Sequence, residues 1–297
     1  MSEQKQEKKN FLQKIYSDLP MNWLVVILYA IGTAVLTTIF LVVPVFEHTS
    51  FHRMGETFEA WIFFAVIIMA NTKKPLESAL KTFVFFLISQ PLIYLFQVPF
   101  SYMGWQLFMY YKYWFFWTLL TVPMAFVGWY IKKKNWLSLL ILFPILCLLM
   151  SDSIGGFQFA FKHFPREIVM AIFCLAQVIV YLYVFTDSMK KKIIGFVVPL
   201  AITLTLTLTT PPIEFKSNYF LPEGTVLTEN AVLISDNTED ITVSLRETGK
   251  DSQIDIHAKD YGTTEFTIKD GDKTYRYTLE VYEDDNGHSQ IRLTPIG

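Results

Sequence analysis

Asn22–Phe46 reads NWLVVILYAIGTAVLTTIFLVVPVF, 25 residues without one charged side chain. A helix needs ~20 consecutive apolar residues to cross the hydrocarbon core of a bilayer, and this run supplies them. It is longer than the core of a signal peptide, and no small-residue cleavage site follows it, so it reads as a retained first span. The residues before it are polar and carry Lys5, Lys8, Lys9 and Lys14. Six further apolar runs follow, at about 57–71, 78–98, 113–131, 136–151, 168–186 and 193–210. The expected architecture is therefore an α-helical membrane bundle of about seven spans. The run at 57–71 is the shortest, because its uncharged core begins only at Ala60. It crosses if Glu56 and Glu59 sit near the surface; a re-entrant pair over 57–98 is the rival reading.

The composition agrees. Of 297 residues, 52% are hydrophobic and 16% aromatic, with mean hydropathy +0.34, too apolar for an ordinary soluble chain. The net charge of −2 conceals a division. Residues 1–210 carry 17 Lys/Arg against 10 Asp/Glu, whereas residues 211–297 carry 8 against 17. Such asymmetry places two domains in two environments. An acidic tail region also excludes nucleic acid as a partner and leaves membrane lipids to the basic part. Expected boundaries are a cytoplasmic tail 1–21, a helical domain 22–210, a linker 211–222 and a β domain 223–297.

Lysines set the orientation. The tail, Lys73-Lys74 with Lys81, Lys132-Lys133-Lys134 and Lys190-Lys191-Lys192 all fall on one side if there are seven spans. The alternate loops hold only Arg53, Lys112, Lys162 and Arg166. Positive loops stay cytoplasmic, which predicts a plasma-membrane protein with its N-terminus inside and its C-terminal domain outside.

Phe100–Trp117 is unusually aromatic, with 11 rings in 18 residues. Such rings settle at headgroup level. The segment reads as a helix lying along the outer interface and turning into the fourth span, either as an anchoring belt or as a platform for a lipid or glycan chain. Pro44, Pro91, Pro123, Pro144 and Pro199 recur in the spans and favour kinks.

Three residues stand out as candidate binding groups. Gln90 and Gln177 fall near the middle of their spans, where amides either hydrogen-bond across helices or line a substrate path. Asp152 lies in Ser151-Asp152-Ser153 at the expected outer end of span five, where it either ends the helix in water or lines an outward cavity. Glu77 and Lys81 have the spacing of an ion pair on one helix face. His48, His52 and Glu56, with Glu47, resemble a metal-ligand spacing, but without an HExxH signature the expectation is no metal. Phosphate loops, nucleophile elbows and dinucleotide fingerprints are absent from the sequence, so neither a catalytic residue nor a cofactor is expected.

Beyond Pro211-Pro212 the hydrophobic period becomes two. The stretch Thr203–Thr210 still reads as a helix ending. After it, Ile241, Val243 and Leu245, then Ile254, Ile256 and Ala258, then Phe266 and Ile268, alternate with polar residues. Tyr275 to Val281 and Ile291 with Leu293 continue the pattern, and Val226–Ile234 adds one or two strands. Asp270-Gly271 and Asn286-Gly287 are hairpin-turn dipeptides. Six or seven short strands predict a small β sandwich. The acidic turns around Asp270, Asp272, Glu283, Asp284 and Asp285 lack calcium-loop spacing and read as solvated. Cys147 and Cys174 lie in the apolar runs, so no disulfide braces this domain, and it contains no Asn-x-Ser/Thr sequon; both fit a bacterial surface protein.

Tyr261-Gly262-Thr263-Thr264-Glu265-Phe266-Thr267-Ile268, then Asp270-Gly271 and Tyr277-Thr278-Leu279-Glu280-Val281, resembles the closing half of a bacterial immunoglobulin-like domain. That resemblance covers the last third of the chain. It implies an immunoglobulin-like sandwich serving as a surface spacer or adhesive module, with no catalytic residue. The functional expectation is a non-enzymatic membrane protein that presents an acidic β domain to an extracytoplasmic or membrane protein partner. The alternatives are a transporter or lipid flippase, and an intramembrane enzyme acting on a lipid-linked substrate.

Overall fold

The computed structural model describes residues 11–47, 49–210, 213–222, 225–235, 240–248, 252–284 and 289–296, with only the backbone of Glu56 and Glu247. Lys5, Lys8, Lys9, His48, Pro211-Pro212, Asp285 and Asn286-Gly287 lie outside the described residues. The chain forms two compact units, Met1–Leu204 and Thr205–Gly297.

The first unit is helical. A short α1 (Phe11–Ile15) precedes α2 (Trp23–Val42), α3 (Ser50–Glu56), α4 (Phe58–Asn71), α5 (Pro75–Gln97), α6 (Phe108–Gly128), α7 (Trp136–Lys162), α8 (Ile168–Phe185) and α9 (Met189–Thr209). Among the described residues, six helices are long and apolar enough to cross a membrane: α2, α5, the stretch Gly104–Lys133 containing α6, α7, α8 and α9. The expected second span is α4, which has 14 residues and spans about 21 Å. It lies deep in the bundle, with Trp61, Val66 and Ile68 buried. Of the long apolar helices among the described residues, α8 is the most enclosed and α9 the least.

Local chemistry sets the helix ends. The Asn22 side chain accepts from the Val25 amide and starts α2. Asn135 and Ser138 form a reciprocal capping box at the start of α7. Pro91, Pro123, Pro144 and Pro199 sit inside helices, as expected. Pro44 does not; α2 stops at Val42 and Pro44 opens a 3-10 turn. α2 buries a stripe of small residues, Ala30, Thr33, Ala34, Thr37 and Thr38, that lets it pack closely on α5.

Two helix boundaries correct the sequence expectations. The aromatic segment is no separate surface helix: Gly104–Leu107 is a 3-10 turn, and α6 already begins at Phe108. Its ring contacts, such as Tyr94 with Phe108 and Tyr111, tie α6 to α5 instead. α7 likewise does not end at Ser151, the expected limit of its span, but continues to Lys162. The Gly155-Gly156 pair is compatible with this, because α7 packs against Ala171 of α8 at Gly156, where a Cβ would lie 3.1 Å from the Ala171 Cβ, and Ser153 Oγ donates to the Ala171 carbonyl at 3.0 Å.

The lysine-rich segments converge at one end of this unit. Asn71 donates to the Ile15 carbonyl at 2.7 Å, Lys132 donates to the Thr72 carbonyl, Lys81 donates to the Met21 carbonyl, and Lys191 donates to the Lys134 carbonyl at 2.7 Å. Tyr16 is buried there between the rings of Tyr181 and Phe185.

The second unit is all antiparallel: β1 (Phe215–Phe220), β2 (Val232–Ser235), β3 (Ile241–Glu247), β4 (Gln253–Ala258), β5 (Gly262–Asp270), β6 (Lys273–Glu283) and β7 (Ser289–Ile296). The sheets run β1-β4-β3 and β2-β5-β6-β7. Ile254, Ile256, Phe266, Ile268, Leu279 and Val281 from both sheets form one core, each fully buried aliphatic side chain contributing ~1.5–3 kcal/mol. The alternation seen in the sequence is the inward face of each strand. Gly271 adopts φ +59 in the β5–β6 hairpin, where glycine avoids a Cβ clash. The expected linker 211–222 is not structureless: Phe215–Phe220 is β1, paired with β4. The sheet order also differs from the immunoglobulin arrangement. There the fifth and sixth strands lie in opposite sheets, whereas here β5 and β6 form a hairpin within one.

Candidate functional site

Two of the three candidate residues, Asp152 and Gln177, meet on Glu59, which a crossing at 57–71 was expected to need near the surface. Glu59, in the first turn of α4, is 4% exposed. Its carboxyl group stands within hydrogen-bond reach of the Asp152 carboxyl, on α7. Its backbone carbonyl accepts from Gln177 Nε2 at 3.3 Å, on α8. Gln177 Oε1 in turn accepts from the Tyr181 hydroxyl at 2.7 Å. Glu59 thus ties α4 to α7 and α8.

Arg53 supplies the local positive charge. It lies on α3, its guanidinium 3.3 Å from Glu167 Oε2 at the start of α8, in an ion pair whose alignment falls short of a hydrogen bond. The same charge acts on Asp152. Burial pushes the Glu167 carboxyl above the ordinary glutamate range, against the pull of Arg53. Glu167 sits at φ 61, a left-handed conformation uncommon outside glycine, so its backbone is strained. The cluster therefore holds three carboxyl groups and one guanidinium, drawn from α3, α4, α7 and the α7–α8 connection.

Gln90 does not join Gln177, whose amide is occupied by Glu59 and Tyr181. Gln90 is 3% exposed, and its Nε2 lacks a hydrogen-bond partner among the described residues, as does Glu59 Oε2. The two lie at similar depth. The Trp61 ring meets Phe85 and Phe86 at 6.3 and 5.8 Å, and α4 and α5 run antiparallel across a short turn. Gln90 is about 6 Å beyond Phe86 and Glu59 about 3 Å beyond Trp61, in the same direction. A buried acceptor and a buried donor, both unsatisfied, thus share one layer of the bundle.

The remaining candidates separate into ordinary roles. Lys81 donates to Glu77 Oε1 at 2.5 Å, the pair expected from their spacing. His52 lies on α3, but His48 and the Glu56 side chain are outside the description, so the expected shared face rests on His52 alone. Among the described residues, no group of three or more His, Cys, Asp or Glu is arranged to hold a metal ion. Asp270 is engaged by Thr228, whose amide donates to Oδ2 at 2.9 Å and whose hydroxyl donates to Oδ1. These bonds hold its carboxyl below the usual aspartate range.

Glu59 and Arg53 were missed because each lies beside a loop, where charge is unremarkable. The available signal was that Glu59 directly precedes the apolar run Ala60–Ala70. Compared with family models, curated proteins and solved structures, the chain matches none.

Proposed function

We propose that this chain is a multi-pass plasma-membrane protein, not an enzyme, whose helical unit anchors and presents its β unit to a protein partner outside the cytoplasm. The observation that carries the reading is the β unit itself: two sheets close around their own core, with edges left open among the described residues. Edge strand β2 exposes Val232 and Ile234, at 58% and 48%, and an unpaired edge with apolar side chains is a template for association. The charges of the helical unit support an anchoring role, because Arg53 with Glu167, Lys81 with Glu77 and Lys191 with Asp187 are mutually paired.

The orientation proposed is lysine-rich end inside and β unit outside, with α4 crossing as the seventh span. Convergence of the lysine-rich segments supports it, since an intervening segment that failed to cross would split them between the two faces. Crosslinking followed by pull-down from intact cells tests the reading. Val232→Asp with Ile234→Asp is expected to abolish capture of a partner held by the wild type. Deleting residues 213–297 while every partner and phenotype persists would overturn it.

A second reading, transport of a solute or lipid, is favoured by one observation: Glu59, which meets Asp152 and Gln177, and Gln90 each keep a buried polar atom unsatisfied among the described residues. Unpaired buried polar groups in a membrane bundle are costly and mark pathways. Flux into liposomes that is abolished by Glu59→Gln supports transport. Purified protein that moves neither solute nor lipid under any imposed gradient excludes it.

A further inference from the structure

The lysine-rich end of the helical unit contains a cavity of about 980 Å³ bordered by the Tyr16–Asn22 segment, the α4–α5 turn, the start of α5 and the segment after α6. Lys73, Lys81, Lys132 and Lys134 line it, against the carboxylates of Asp18 and Glu77. Among the described residues its wall therefore carries two positive charges in excess. α2 and α5, of 20 and 23 residues, both begin here, and helix N-termini add positive potential. Lys81 is 5% exposed, so one of these charges is held well out of water.

A second hollow, of about 520 Å³, adjoins the first. It shares the strip Leu19-Pro20-Met21 and continues along Val25, Leu28 and Tyr29 of α2 to Ile67 of α4, all apolar apart from the tyrosine hydroxyl. Trp23 to Tyr29 covers about 9 Å along the helix axis. The two hollows form one amphipathic site, cationic at the end of the bundle and apolar toward its middle. Two of its lysines lie against indole rings, Lys132 4.5 Å from Trp129 and Lys81 5.6 Å from Trp23, and tryptophan is enriched at headgroup level.

We infer that this paired cavity and groove bind one phosphate-bearing lipid, its phosphate among Lys73, Lys81, Lys132 and Lys134 and an acyl chain along Val25, Leu28 and Ile67. A soluble phosphate would need only the first hollow; the adjoining groove selects the lipid. A zwitterionic headgroup would bring a cation into a site that already has an excess of them, so a phosphate monoester such as phosphatidic acid fits best.

Native mass spectrometry of the full chain in detergent tests this with dioleoyl phosphatidic acid, dioleoyl phosphatidylcholine and inorganic phosphate as probes. The expected result is retention of one phosphatidic acid per chain, at least tenfold tighter than phosphatidylcholine. Lys73→Gln with Lys132→Gln is expected to weaken it at least tenfold. Val25→Trp, which fills the groove and leaves the lysines, is expected to weaken it similarly. Lys190→Gln, at the same end but outside the cavity, is expected to leave it unchanged. Each variant must keep the thermal midpoint of the wild type; where the double lysine variant does not, Val25→Trp and Lys190→Gln decide. Equal retention of the two lipids overturns the proposal, as does equal loss in Lys190→Gln, which marks general charge attraction. Full competition by inorganic phosphate with no effect of Val25→Trp assigns the site to a soluble phosphate and overturns the lipid.

Discussion

Arg53 is the residue on which the buried carboxyl cluster depends. Removing one partner of a buried ion pair costs 3–5 kcal/mol, but Arg53 is 42% exposed and solvent screens part of its charge. Arg53→Ala is therefore expected to destabilise the helical unit by about 1–2 kcal/mol, and adding Glu167→Gln is expected to recover part of the loss. Thermal unfolding in detergent measures both; an unchanged midpoint in Arg53→Ala would contradict the assignment. Asp270 makes the second residue-scale prediction. Its folded-state carboxyl is held low by Thr228, so the bond stabilises the β unit above the unfolded value of ~3.9 and fades as pH falls through the folded value. Thr228→Val is expected to speed amide exchange in β5 and β6 at neutral pH, with the difference from wild type shrinking as pH falls through the folded value. At this scale the sequence was informative where a polar residue interrupts an apolar run, as at Asp152, Gln177 and Gln90. It was silent where the partner sits beside a loop, as with Glu59 and Arg53, because only the folded bundle brings α3 and α4 against α7 and α8.

Element boundaries were legible wherever period and breakers agreed. The alternation of Ile254, Ile256 and Ala258 gave β4, and Asp270-Gly271 gave the β5–β6 turn. Two boundaries were obscured by residues that usually punctuate. Ser151-Asp152-Ser153 and Gly155-Gly156 read as a helix end, yet α7 runs through them, because Gly156 gives Ala171 the room for close packing. β1 was hidden in Phe215–Phe220, where burial is slight and the inward pattern correspondingly weak. The α7–α8 contact carries its own prediction. A side chain at position 156 places its Cβ 3.1 Å from Ala171 Cβ and 3.4 Å from its Cα, with backbone that cannot step aside. Gly156→Val is expected to cost ~1–3 kcal/mol through overpacking, and Gly156→Ala distinctly less. Equal unfolding midpoints for wild type and Gly156→Val would show that the helices do not pack as described.

At the scale of the whole molecule, two units with opposite charge and different periodicity were visible from composition alone. Crossing by α4 is the hinge of the account, because it decides on which face every later loop lies. Single cysteines in a variant with Cys147 and Cys174 replaced by alanine, probed on intact cells with a membrane-impermeant maleimide, test it directly. Lys74, Lys190 and Asp272 are exposed and suit the purpose. Asp272→Cys is expected to react on intact cells, whereas Lys74→Cys and Lys190→Cys react only after permeabilisation. Reaction of Lys74→Cys on intact cells, or protection of Asp272→Cys, would contradict crossing by α4.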